Sequence, residues 1–172
     1  MFRRVGISGG VLLILGMGGM IGLYLMSSRN SIDHKNILMN KDIIKKEVKK
    51  DWKNILTPEQ YRVLREAGTE IPFTGTLNHE TRKGTYYSVG CDKPLFRSEQ
   101  KYDSGTGWPS FFAPIDEDTL FLRKETGPLD DRIEVLDMCG SHLGHVFDDG
   151  PKPTGKRFCM NSVALYFVPD EK

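Results

Sequence analysis

The sequence predicts a mainly β (α+β) domain over residues 54–172, with one or two helices at its start and one transmembrane helix ahead of it. Three observations carry this. The run Val5–Ser28 holds no charged residue. A helix-start signature stands at "LTPEQ". Beyond Gly68 the chain breaks into short runs rich in β-branched and aromatic residues, separated by Gly, Pro, Asn and Asp.

Taken in order, the first element is the apolar run. A bilayer core of about 30 Å needs about 20 apolar residues in a helix, and Val5–Ser28 is long enough. Arg3 and Arg4 precede it, so the positive-inside rule leaves the first residues in the cytoplasm and everything after Ser28 outside. A cleaved signal peptide is the rival. The run is long and carries no clear A-x-A site, so an uncleaved signal anchor over residues 1–28 is expected. Residues 29–53 read as a polar linker or stalk. Its "DIIKKEVKKDWK" segment places Ile43, Ile44, Val48 and Trp52 near helical spacing, with lysines opposite.

In "LTPEQYRVLREAG", Thr57 suits the N-cap, Pro58 the first helical position, and Gln60 completes a capping box. Gly68 is the expected stop. Strands are expected at "GTYYSVG", "TLFLRK", "DRIEVLDM", "HVFDD" and "FCMNSVALYFV". The net charge of +1 gives no strong electrostatic pull toward nucleic acid, and none is expected as a partner.

The chemistry concentrates in three stretches. In "GKRFCMNSVALYF", strand alternation puts Arg157, Cys159 and Asn161 on one face. A guanidinium within roughly 7 Å favours the thiolate. "CGSHLGHVFDDGP" holds His142 and His145 in what reads as a glycine-rich loop, where i and i+3 can face the same way. "YDSGTGWPSFF" can hold the Trp108 indole rigidly as a pocket wall. Two chemistries fit. One is a nucleophilic thiol at Cys159 with a histidine for proton transfer. The other is a metal site, since Cys91, Cys139, His142 and His145 add up to Cys₂His₂, although neither cysteine belongs to a C-x-x-C. Three cysteines outside the cytoplasm leave an odd thiol.

Together these stretches resemble the B-type methionine sulfoxide reductases over about Trp52–Val168. The likeness rests on "LTPEQYRVLREAGTEIPFTG", "PLF", "YDSGTGWPSFF", "GSHLGHVFDDGP" and "RFCMNS" in this order. The resemblance implies two small antiparallel sheets with helices packed at the N-terminal side. It implies Cys159 as nucleophile, His145 as proton donor supported by His142, and Asn161 and Arg157 as polarising groups. Trp108 and Phe147 would hold the substrate. The activity implied is reduction of methionine-R-sulfoxide in oxidised proteins through a Cys159 sulfenic acid. The alternatives are a membrane-tethered redox sensor or binding module on the same fold, and a Cys–His hydrolase. Retention of the thiol and the histidine pair disfavours the first; no nucleophile-elbow motif supports the second.

Two departures from the family pattern matter. Many members bind zinc through two C-x-x-C pairs; here the matching stretches are "SVGC" and "LDMC", with Ser88 and Leu136 in the first positions. Leucine cannot ligate zinc, so a Cys₄ site is not expected. The resemblance places the two remaining thiols at one locus, and it implies a structural Cys91–Cys139 disulfide. Many members also carry a resolving Cys where this chain has Thr106. The sulfenic acid is then expected to be reduced by an external thiol, a thioredoxin-like protein or a small dithiol.

Overall fold

The capping signature at Thr57 forms as expected. In the computed structural model, which describes residues 50–126 and 131–171, the Thr57 hydroxyl accepts from the Gln60 amide at 3.2 Å. The Gln60 side chain accepts in return from the Thr57 amide at 3.1 Å. This box opens helix α2 (Pro58–Glu66), which follows the short α1 (Trp52–Ile55). The stop differs in detail. Ala67 takes the left-handed conformation (φ 53°), while a Cβ on Gly68 would sit 2.8 Å from the Arg62 carbonyl oxygen. Trp52, placed in the linker by sequence, is 7% exposed and packs in the core. The expected membrane span at residues 5–28 lies outside the described residues. Among those described, no helix is long and apolar enough to cross a membrane.

Among the described residues nine strands follow: β1 (Gly84–Ser88), β2 (Pro94–Arg97), β3 (Lys101–Tyr102), β4 (Ser110–Phe111), β5 (Leu120–Lys124), β6 (Ile133–Asp137), β7 (His142–Phe147), β8 (Arg157–Met160) and β9 (Leu165–Pro169). They form a three-stranded sheet, β2-β1-β9, and a six-stranded sheet, β3-β4-β8-β7-β6-β5. All their pairings are antiparallel. The fold is therefore mainly β with two antiparallel sheets and short N-terminal helices, and α2 packs on β7.

An aromatic layer joins the sheets. Tyr86 and Phe96 from the smaller sheet meet Phe111 and Phe158 from the larger. Phe96 stacks on Phe111 with centroids 4.2 Å apart, and Tyr86 meets Phe111 edge-on at 4.9 Å. Such pairs add about 0.5–1.5 kcal/mol each beyond burial. On β8, alternation sends Phe158 and Met160 into this layer and turns Arg157 and Cys159 to the opposite face.

The single strand expected at "FCMNSVALYFV" is two strands in two sheets, joined by a 3₁₀ turn at Ser162–Ala164. A buried carboxylate makes the corner. Glu70 accepts from the amides of Ser162 (2.6 Å) and Val163 (3.1 Å), satisfying groups that the ladder gives up.

Candidate active site

The histidine pair lies on a strand rather than in a loop. On β7, Gly144 opposes Val135 and His142 opposes Leu136, so Leu143 is an extra residue in a β-bulge. Without a bulge, residues three apart on a strand point to opposite faces. With it, His142 and His145 share one, their ring centroids 5.3 Å apart. The bulge is possible beside β8 because position 144 is glycine: a Cβ there would fall 2.1 Å from the Cys159 carbonyl oxygen.

Register then lines up one row of side chains across the six strands. Tyr102 opposes Ser110, Ser110 opposes Cys159, and Cys159 opposes His145. His145 opposes Glu134, and Glu134 opposes Arg123. The sequence pointed to Cys159 and His145 but not to their carboxylate partners. Glu134 is 2% exposed; it takes His142 Nδ1 at 2.8 Å and Arg123 at 2.6 Å. A carboxylate oxygen held in an ion pair with Arg123 is an acceptor, which favours the His142 tautomer that carries its proton on Nδ1. Burial pushes the pKa of His142 below the usual histidine range, against the pull of Glu134, so the ring is neutral. Glu125 lies 3.1 Å from His145 Nε2 and pairs with Arg132 at 3.2 Å. Glu134 had a legible signal, a carboxylate inside the apolar run "IEVL"; Glu125 and Glu70 had none.

Cys159 is half-buried and lines a cleft of about 120 Å³ with Thr69, Trp108, His145, Phe147 and Asn161. The Trp108 indole N–H donates to the Glu70 carbonyl at 3.1 Å, which fixes that wall. The thiol is not the thiolate that Arg157 alone would favour. Burial pushes its pKa up, and this outweighs the opposing pull of the Arg157 guanidinium and of the Thr106 and Ser110 hydroxyls. The Arg157 charge is largely engaged elsewhere. Its guanidinium makes two 2.8 Å bonds to Asp149 and stacks over Phe147 at 4.3 Å.

Asn161 also differs from expectation. It lies beyond the end of β8, at the corner between the sheets. Its Oδ1 accepts from the Glu70 amide at 2.9 Å and its Nδ2 donates to the Leu143 carbonyl at 3.0 Å. Asn161 thus holds the bulge and the Trp108 wall in place, and it lines the same cleft as Cys159.

A chain of hydroxyls leads away from the sulfur. Thr106 Oγ1 is 4.0 Å from Cys159 Sγ, and Ser104 Oγ lies 2.8 Å from both Thr106 Oγ1 and Ser110 Oγ. Ser110 donates to the Trp108 carbonyl at 3.2 Å. A carbonyl only accepts and each hydroxyl has one proton, so the polarity follows. Ser104 donates to Ser110, Thr106 donates to Ser104, and the Cys159 S–H is left to donate to Thr106.

The family model described as the SelR domain matches residues 56–169. The chain belongs to the SelR family, the B-type methionine sulfoxide reductases. It is 54% identical over 123 residues to "Peptide methionine sulfoxide reductase MsrB" of Methanosarcina barkeri, covering 71% of this chain and 87% of that protein. It is 49% identical over 130 residues to the protein of the same name in Leptospira interrogans, covering 75% of this chain and 98% of that one. The counterpart in Pseudomonas putida (strain W619) is 53% identical over 120 residues, covering 69% and 90%.

Against the SelR pattern, the second locus of interest lies at the turns after β1 and β6. Cys91 and Cys139 form a disulfide with Cα atoms 5.5 Å apart. The Cys₂His₂ alternative does not form: among the described residues the two sulfurs gather with Asp137 and not with His142 or His145, whose rings lie beside each other on β7. The sulfurs and an Asp137 carboxylate oxygen lie within 4.8 Å of one another. However, Asp137 is fully buried and committed. It accepts from Ser88 Oγ (2.5 Å) and from the amides of Cys139 (2.9 Å) and Ser141 (2.8 Å). With Leu136 at the remaining position and the two sulfurs bonded to each other, these residues do not fit a tetrahedral Cys₄ zinc site.

Proposed function

We propose that this SelR-family chain reduces methionine-R-sulfoxide in peptides and proteins to methionine, with Cys159 as nucleophile and His145 as proton donor. The observation that carries this reading is the register that sets Cys159 directly opposite His145 in a cleft walled by Trp108. The Cys159 sulfur attacks the sulfoxide sulfur, and a proton from His145 reaches the sulfoxide oxygen. The S–O bond of the substrate breaks and the oxygen leaves as water, carrying the His145 proton and the Cys159 thiol proton. A water then attacks the Cys159 sulfur of the S–S-linked sulfonium, that S–S bond breaks with its electron pair on methionine, a proton returns to His145, and Cys159 is left as a sulfenic acid. Trp108 and Phe147 receive the methyl and methylene groups, which contact aromatic rings favourably through the polarisable sulfur. His142, held by Glu134, fixes its neighbour's surroundings. Asn161 acts by position on the bulge, while Arg157 both holds Phe147 and pulls the Cys159 thiol toward ionisation.

Two equivalents of an external thiol complete the cycle. The first forms a mixed disulfide with Cys159 and releases water; the second releases the free Cys159 thiol and a disulfide of the reductant. A thioredoxin-like protein or a small dithiol fills this part. Cys91 and Cys139 serve as a structural disulfide in place of zinc. The uncharged Val5–Ser28 run and a disulfide that needs an oxidising compartment support a membrane-anchored domain outside the cytoplasm.

The test is turnover of separated sulfoxide epimers with dithiothreitol. The R epimer is reduced and the S epimer is not, and Cys159→Ser abolishes the reaction. Substantial activity in that variant removes the nucleophile assignment.

A further inference from the structure

The cleft is small, about 120 Å³. It accommodates one methionine sulfoxide side chain, so the polypeptide on either side of that residue must run across the rim. Thr69 lines the cleft, and the chain continues from it through Glu70 to Ile71, Pro72 and Phe73. Ile71 is 71% exposed and Phe73 64%, the two most exposed large apolar side chains among the described residues.

These side chains are presented rigidly. Phe73 holds φ at 66°, a left-handed conformation that bulky residues rarely adopt. Its amide donates to the Gly107 carbonyl at 2.8 Å, and Thr74 Oγ1 donates to the Ile71 carbonyl at 2.7 Å. The loop lies so close to Gly107 that a Cβ there would come within 2.9 Å of Phe73 Cδ2 and of Pro72 Cβ. The next residue is Trp108, the wall of the cleft, itself tied to the Glu70 carbonyl. The exposed pair is therefore fixed to the wall it adjoins. Backbone strain retained beside a reaction site is a pointer to function.

We propose that Ile71 and Phe73 form a docking shelf for the substrate polypeptide, selecting extended segments with apolar residues next to the methionine sulfoxide. The proposal rests on the reductase reading above and names its substrate class more narrowly. Methionines in folded proteins are mostly buried among apolar neighbours, so a locally unfolded, oxidised segment presents this pattern. Apolar flanking side chains gain burial against the shelf; serine or charged flanks gain nothing there.

The experiment uses the full chain and three substrates: N-acetyl-methionine-R-sulfoxide methylamide, and two R-sulfoxide peptides of equal length with leucine or serine on both sides. The parent enzyme favours the leucine peptide by about tenfold in kcat/KM, mostly through KM, as expected for burial of part of two side chains. In the double variant Ile71→Ser, Phe73→Asn this preference disappears, while kcat/KM for the methylamide stays within about twofold. Asparagine tolerates the left-handed conformation, so the loop keeps its course. No preference in the parent, or a preference that survives in the variant, overturns the shelf. Equal losses on all three substrates overturn it too, since the loop would then act only by supporting Trp108. No turnover of any substrate by the parent would instead overturn the reductase reading itself.

Discussion

Thr106 Oγ1 stands 4.0 Å from Cys159 Sγ, in contact with the sulfur at the position where many relatives carry a second thiol. A hydroxyl there cannot close a disulfide, so the expectation is that the oxidised sulfur is reduced by an external thiol. With one equivalent of R-sulfoxide and no reductant, intact-mass measurement should show the chain gaining one oxygen that dimedone traps at Cys159. Thr106→Cys should instead lose two hydrogens as an internal disulfide. An internal Cys159 disulfide in the parent chain would refute direct external reduction.

The hydroxyl chain gives a second expectation, with opposite signs at two neighbouring residues. Ionising Cys159 leaves Thr106 to donate to the thiolate, which reverses Ser104 and breaks the Ser110 bond to the Trp108 carbonyl. Ser104→Ala frees Thr106 to donate without that loss, so alkylation of Cys159 should begin at lower pH. Thr106→Val removes the donor and should move it to higher pH. Arg157, Ser110, Tyr102 and His145 also face the same sulfur and are unchanged in both variants. Rates of iodoacetamide reaction against pH test this; shifts of the same sign in both variants would count against the polarity.

His142 links stability to pH. Its folded-state pKa lies below the unfolded value, so the unfolded chain binds the extra proton more readily. Stability is then full above the unfolded value of about 6.5 and declines as pH falls below it. The unfolding midpoint should fall between pH 7 and pH 5, and His142→Gln should flatten that part of the curve. Glu134→Ala leaves the buried Nδ1 unpaired and should cost about 1–3 kcal/mol at neutral pH, read by urea denaturation.

The Cys91–Cys139 bridge closes a loop with a sequence separation of 48, for which chain entropy gives about 4 kcal/mol. Cys91→Ser, Cys139→Ser should lower the urea midpoint accordingly while kcat/KM on a small sulfoxide changes little. Both cysteines lie in the turns after β1 and β6, outside the row that carries Cys159 and His145. Thiol titration of the unreduced, denatured parent should find one reactive thiol, Cys159; three thiols would remove the bridge.

The helix start at Thr57 was legible because capping is local chemistry, and most strands were legible from alternation and turn residues. Cys159 and His145 were legible as motif residues. What could not be read was whatever register decides. The bulge at Leu143 depends on what lies opposite it on β6, so "SHLGH" reads as a loop. The break at Asn161 is invisible because the carboxylate that makes it, Glu70, is 91 residues away along the chain. Burial acts likewise: the arginine two positions from Cys159 is plain in sequence, but its commitment to Asp149 and the desolvation of the thiol are not.

The order of the three cysteines along the chain bears on how the domain is made. β1 finds one of its two partners, β9, only after β8 along the chain, so the smaller sheet stays incomplete until residues 165–169 have been made. Cys91 and Cys139 both leave the ribosome before Cys159 does. In any compartment where the nascent chain oxidises as it emerges, the correct pairing is met first, before the competing sulfur exists to be mispaired. The reactive residue arrives last, on a strand already flanked in sequence by everything that will enclose it except β9.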